Sequence, residues 1–268
     1  GERQRLPGSA HAGGRSRIML LDQAGTSISL SGLHFRNGAA PGDPSKGTMG
    51  GAILAESVTL EISGSRFSGN SAAATQPGLP EDGFTQSGLG GAIAASNSSI
   101  SITGCDFIGN TASGADNTKD QQASSGLGGA IFAANSPITM QHTRFRSNSA
   151  VGGSGARPIE QFATSDGGWG AGGAIFADRA SVAATNVTFE NNTATGGDGL
   201  SGSASNPYGN GVGGGGKASG GALWMQGRGE YGGDPVHLDL TKVEFAGNSA
   251  VGGSAGAQGS ATLGPNQG

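Results

Sequence analysis

One spacing governs this chain. The motif Gly-Gly-Ala-(Ile/Leu) begins at Gly50, Gly90, Gly128, Gly172 and Gly220. A Phe followed three residues later by Asn occurs at Phe67–Asn70, Phe107–Asn110, Phe145–Asn148, Phe189–Asn192 and Phe245–Asn248. In four copies the Phe lies 17 residues beyond the first Gly; in the fifth it lies 25 beyond, with GRGEYGGDP as the insertion. From each Asn to the next Gly pair the distance drifts through 20, 18, 24 and 28 residues. Spacing that is fixed inside the motif and free outside it describes a rigid coil with loops inserted at one corner.

Apolar positions within the motif give the local structure. Seven residues before each Phe stand Leu60, Ile100, Ile138, Val182 and Leu238; five before it stand Ile62, Ile102, Met140, Ala184 and Leu240. Two before it stand Ser65, Cys105, Thr143, Val187 and Val243. Alternation by two is the strand signal, and the skipped beat marks a bend. The GGAI segment adds a third short strand, with Ile53, Ile93, Ile131, Ile175 and Leu223 in register. Three strands in a repeat of about 23 residues describe one rung of a parallel β-solenoid. A degenerate earlier copy, SRIMLLDQAGTSISLSGLHFRNGAA, keeps Phe35 but lacks the Gly pair, and its Asn37 comes one residue early. The expectation is an all-β parallel β-helix of about six rungs over residues 16–253. Gly/Ser-rich loops are expected at 71–89, 111–127, 149–171 and 193–219. Residues 1–15 are expected to form an extension and 254–268 a tail that continues into a longer chain.

Stacking places equivalent residues about 4.8 Å apart. Phe67, Phe107, Phe145, Phe189 and Phe245 are then expected to form an interior stack. Asn70, Asn110, Asn148, Asn192 and Asn248 are expected to form an amide ladder at a corner. The Gly pair permits a tight turn and leaves room in a narrow interior.

The GGAI…FxxN pairing resembles the polymorphic outer membrane protein repeat of bacterial autotransporter passengers and other large surface proteins. The resemblance spans roughly Ser16 to Gly253. It implies a right-handed parallel β-helix, secretion to the bacterial cell surface and a role in adhesion. The departures expected from that pattern are the lack of a C-terminal membrane barrel within these residues and loops that are long and rich in glycine.

Composition narrows the functional classes. Gly accounts for 55 of 268 residues and the net charge is −4. No basic run suggests nucleic acid, and no apolar run approaches the ~18 residues that span a membrane. A single cysteine, Cys105, excludes an internal disulfide framework. His11, His34, His142 and His237 fall in different columns, so no metal cluster is legible, and no cofactor motif is present. A polysaccharide enzyme on such a scaffold needs converging carboxylates. No column carries two acids in successive rungs; Glu81 and Asp82 share one loop, as do Asp116 and Asp120, and Glu160 and Asp166.

The residues preceding each Phe are expected to face outward. Arg66, Asp106 and Arg144 among them alternate in sign on neighbouring rungs, as a charge ladder would. The residue after the GGAI isoleucine gives Leu54, Ala94, Phe132, Phe176 and Trp224. Alternation points this apolar column away from the interior, where it is either a docking strip for a protein or glycan or a surface covered by the loops. Trp169 and Tyr208, in the longest loops, are further candidates for partner contact. The open ends of a solenoid expose strand edges, so further rungs, another domain or another subunit are expected to continue the stack. The sequence therefore reads as a non-enzymatic surface segment, an adhesin or a rigid spacer. A polysaccharide lyase or hydrolase and a subunit docked on a larger assembly are the alternatives.

Overall fold

A computed structural model describes residues 9–11, 16–40, 42, 48–75, 86–116, 123–155, 166–200, 213–227 and 235–256. The described residues form an all-β parallel solenoid of stacked coils. A complete coil holds five short strands. In the middle of the stack these are Gly126–Leu127, Ile131–Ala134, Ile138–Gln141, Arg144–Arg146 and Ser149–Val151. Each pairs in parallel with its equivalents one coil before and one coil after, so that Phe145 aligns with Phe107 and Phe189. The first coil is partial, with Met19–Leu21, Ser27–Ser31 and His34–Arg36.

Five strands per coil correct the expected three. The additional two flank the loops. Entry strands such as Gly88–Leu89 and Gly126–Leu127 precede the Gly pair. Exit strands such as Thr111–Ser113 and Ser149–Val151 follow the Asn. Both kinds fall inside the stretches read as loops, because two or three residues are too few to display a period of two.

The interior is built from columns. Phe35, Phe67, Phe107, Phe145, Phe189 and Phe245 stack with ring centroids 4.7 to 5.0 Å apart. From Phe67 to Phe189 the rings are fully buried, each contributing about 2–3 kcal/mol of apolar transfer. Ile53, Ile93, Ile131 and Ile175, with Leu60, Ile100, Ile138 and Val182, fill the rest of the same core.

Asn70, Asn110, Asn148 and Asn192 are buried at the corner after the Phe strand. Each Nδ2–H donates to the Oδ1 of the next Asn, at 2.9, 2.9, 2.9 and 2.8 Å, the last to Asn248. Each also donates to the carbonyl of the Phe one coil earlier. The degenerate copy joins this ladder through its backbone. Gly38, not Asn37, occupies the ladder position, and its N–H donates to Asn70 Oδ1 at 2.9 Å.

Both glycines of each pair need space, and the first also needs an angle: a Cβ at Gly128 would strike the Ile131 carbonyl. Gly128 has φ +67°, a conformation that costs other residues about 1–2 kcal/mol. Gly129 has no such angle, but a Cβ there would strike the Gly173 carbonyl and the Ser149 backbone. Three further corners per coil also use left-handed residues. One of them runs Asn37, Gly69, Gly109, Ser147, Asn191, Gly247.

Candidate functional site

The column expected to face outward does leave the main interior, but it enters a second one. Leu54, Phe132 and Phe176 are buried, together with Ala94, Met49, Leu89, Leu127 and Ala171. Met49, Leu89, Leu127 and Ala171 belong to the entry strands, which lie over the outer side of the Ile53–Glu56 stack of strands. Leu54, Phe132 and Phe176 therefore form no free docking strip: the polypeptide returning from each loop covers them. Phe132 and Phe176 stack at 5.6 Å.

Trp169 and Trp224 close the C-terminal part of this second core and are half-buried. Trp169 packs edge-on against Phe176 at 5.5 Å and against Trp224 at 5.8 Å. Both indole N–H groups are buried without a hydrogen-bond partner among the described residues. Trp169 thus pins the returning segment to the coil. Tyr208 lies outside the described residues, as do Glu81, Asp82, Asp120 and Glu160.

The glycine-rich loop bases have an order the sequence does not announce. Each coil sends a segment outward after its exit strand and receives one back before its entry strand. These segments bond one another in a continuous alternating series. Ser124 N–H donates to the Ala115 carbonyl, Gly153 to Ser124, Gly168 to Gly153, Gly197 to Gly168, Gly216 to Gly197 and Gly253 to Gly216, at 2.7 to 3.0 Å. A Cβ at Gly153, Gly168, Gly197, Gly216 or Gly253 would collide with a neighbouring backbone carbonyl. Glycine is required there because backbone packs directly on backbone. The sequence signal that marks the outgoing half is a Gly pair four and five residues after the ladder Asn, at Gly152–Gly153, Gly196–Gly197 and Gly252–Gly253.

Three loop-base carboxylates serve this glycine rail. Asp116 Oδ1 accepts from Ser154 N–H at 2.7 Å, Asp166 Oδ1 from Gly214 N–H at 2.6 Å and Asp198 Oδ1 from Ser254 N–H at 2.7 Å. Acceptance from main-chain amides is a structural role, and among the described residues no three His, Cys, Asp or Glu side chains converge as metal ligands do.

The outer face of the Phe strands is polar. Arg144 forms a two-point pair with Asp106 at 2.8 and 3.3 Å, and Arg146 meets Glu190 at 2.8 Å. His34 lies within 2.8 Å of the Ser68 hydroxyl. Burial and the charges of Arg66 and Arg36 lower its pKa from the ordinary value. Cys105 is buried in the main core, where desolvation raises the pKa of its thiol.

Comparison with protein-family models, with curated proteins and with solved structures finds no match for this chain.

Proposed function

We propose that this chain is a non-enzymatic structural segment: a rigid β-solenoid spacer at a bacterial cell surface, whose outer columns and loops meet a glycan or protein. The observation that carries this reading is the continuity of three ladders: the Phe rings from Phe35 to Phe245, the Asn amides from Asn70 to Asn248 and the glycine rail from Ala115 to Gly253. The Phe rings, the Asn amides and the glycine rail each run from coil to coil without a break. Such a body transmits load along its axis and offers few local openings to a protease. The GGAI…FxxN resemblance supports the surface location, and the main-chain bonds of Asp116, Asp166 and Asp198 support a structural use for the loop-base acids.

The test is retention of the whole chain on an immobilised polysaccharide panel, with new reducing ends measured in the eluate. Retention without new ends is the adhesin outcome, and neither retention nor release is the spacer outcome. Release of oligosaccharides overturns the proposal.

A further inference from the structure

Asparagine has two separate uses in this fold. Asn70, Asn110, Asn148 and Asn192 are buried, and each Nδ2 already gives two hydrogen bonds, one to the next Asn and one to a Phe carbonyl. A second set, Asn37, Asn97, Asn135, Asn186 and Asn191, stands at the corners of the coils with φ between +48° and +53°. Asparagine enters this left-handed region more readily than most residues with a side chain. All five are exposed.

The spacing Asn-x-Ser/Thr is the acceptor pattern for N-linked sugar. It occurs three times in the chain, at Asn97–Ser99, Asn186–Thr188 and Asn191–Thr193, and each time on the exposed set. The hydroxyl falls on the outward side of the following strand. Ser99 is exposed beside the buried Ile100, Thr188 precedes the buried Phe189 and Thr193 precedes the buried Ala194. The same alternation excludes the ladder asparagines. Two residues after Asn70, Asn110, Asn148 and Asn192 come Ala72, Ala112, Ala150 and Ala194, whose methyl groups are buried. Asn37 and Asn135 are exposed, but Ala39 and Pro137 stand where the hydroxyl would be.

The nitrogens of the two sets differ as well. Among the described residues, Nδ2 of Asn97 and Nδ2 of Asn191 donate no hydrogen bond, and Asn97 Oδ1 accepts from Asn135 at 3.3 Å. Asn186 Nδ2 lies 3.2 Å from Nε2 of the exposed His142. None of the three belongs to the interior ladders, so a substituent on Nδ2 leaves the Phe stack and the buried amides in place.

We infer that Asn97, Asn186 and Asn191 are acceptor sites for N-linked sugar, carried on the corners of the solenoid. The donor is a sugar held at C1 by the diphosphate ester of a nucleotide or a lipid, and a transferase joins C1 to Nδ2. The C1–O bond to the diphosphate breaks with its electron pair on oxygen, and the amide gives up one proton. Asn186 and Asn191 flank the strand Thr188–Glu190, so two sugars frame one face of that coil. The rod then bears sugar, whether or not it also binds one.

The experiment treats the full chain in two arms and locates sugar by intact mass and peptide mapping. One arm incubates the purified, folded chain with UDP-glucose and a soluble asparagine glucosyltransferase. The other secretes it from a eukaryotic host, whose membrane-bound transferase draws on a lipid-linked oligosaccharide. Sugar is expected at Asn97, Asn186 and Asn191 in at least one arm, and that arm identifies the carrier. Ser99→Ala, Thr188→Ala and Thr193→Ala are each expected to cut occupancy of their own site at least tenfold, whereas Ser99→Thr retains it. The modified chain is expected to unfold at no lower temperature than the bare one. The inference is overturned if the three sites stay bare in both arms, or if Asn37, Asn135 or a ladder Asn is modified as fully. It is also overturned if the alanine variants keep their sugar, or if the modified chain no longer folds. Glycan retention tests the spacer or adhesin reading separately, so either can fail alone.

Discussion

Asn110 gives two hydrogen bonds to one atom of Asn148: its backbone N–H at 3.0 Å and its side-chain Nδ2–H at 2.9 Å both meet Asn148 Oδ1. Replacing Asn148 with Ala leaves both donors unpaired in a buried corner and frees the Phe107 carbonyl as well. At about 1–3 kcal/mol for each buried group left unsatisfied, the expected loss is about 3–5 kcal/mol. Asn148→Asp keeps the acceptor but loses the donors and buries a charge, so it is expected to do no better at neutral pH. Urea unfolding midpoints compare the two.

Glycines separate into those that need an angle and those that need space. Gly64 has φ +52° and nothing within 4 Å of where a Cβ would stand. Gly64→Ala is therefore expected to cost only the backbone penalty, about 1–2 kcal/mol. At Gly197 a Cβ would run into the Gly153 carbonyl, and both sides of that contact are main chain. Gly197→Ala is expected to cost about 3 kcal/mol or more, since backbone cannot yield as a side chain can. Thermal unfolding of the two variants side by side tests the distinction.

The second core makes its own prediction. Phe176→Ser removes a fully buried ring and is expected to destabilise by about 3–5 kcal/mol, with loss of near-ultraviolet signal from Trp169. Leu20→Ser sits in the same column in the first coil, where the side chain is 52% exposed, and is expected to be nearly silent. Equal effects from both would contradict a covered core.

Ser147 holds φ +53° in a corner column otherwise occupied by Asn and Gly. Ser147→Gly relieves the left-handed strain and gives back part of it as unfolded-chain entropy. A net gain of about 0.5–1 kcal/mol is expected, read as a raised urea midpoint.

His34 supplies a pH dependence with a definite sign. Its pKa is lowered in the folded chain, by burial first and then by Arg66 and Arg36. Below the ordinary histidine value the unfolded chain binds the proton more readily, so this contribution to stability is present above pH ~6.5 and is lost as pH falls through the lower folded value. The residue is only half-buried, so the effect is small. Arg66→Ala is expected to shift the His34 titration upward, as followed by ring-proton NMR.

The main interior was legible because its columns are locked to one spacing. A ring at Phe107 and an amide at Asn110 recur at intervals that only stacked coils satisfy. The second core was not legible from alternation. Alternation says that Phe132 leaves one side of its strand but not what lies on that side. The cover comes from entry strands of two residues, such as Gly126–Leu127, whose single apolar side chain carries no period. The glycine rail was hidden for a related reason. Gly153 and Gly168 read as loop residues, and only their mutual position shows that each is a backbone contact.

That rail has an evolutionary corollary. The connecting stretches 117–122, 156–165 and 201–212 differ twofold in length. All three depart from and come home to the same hydrogen-bonded glycine frame. Insertions can accumulate beyond the frame without shifting the register of a single coil. The solenoid behaves as a chassis with standard sockets, on which the connecting stretches are free to diversify in length under selection while the ladders stay constant.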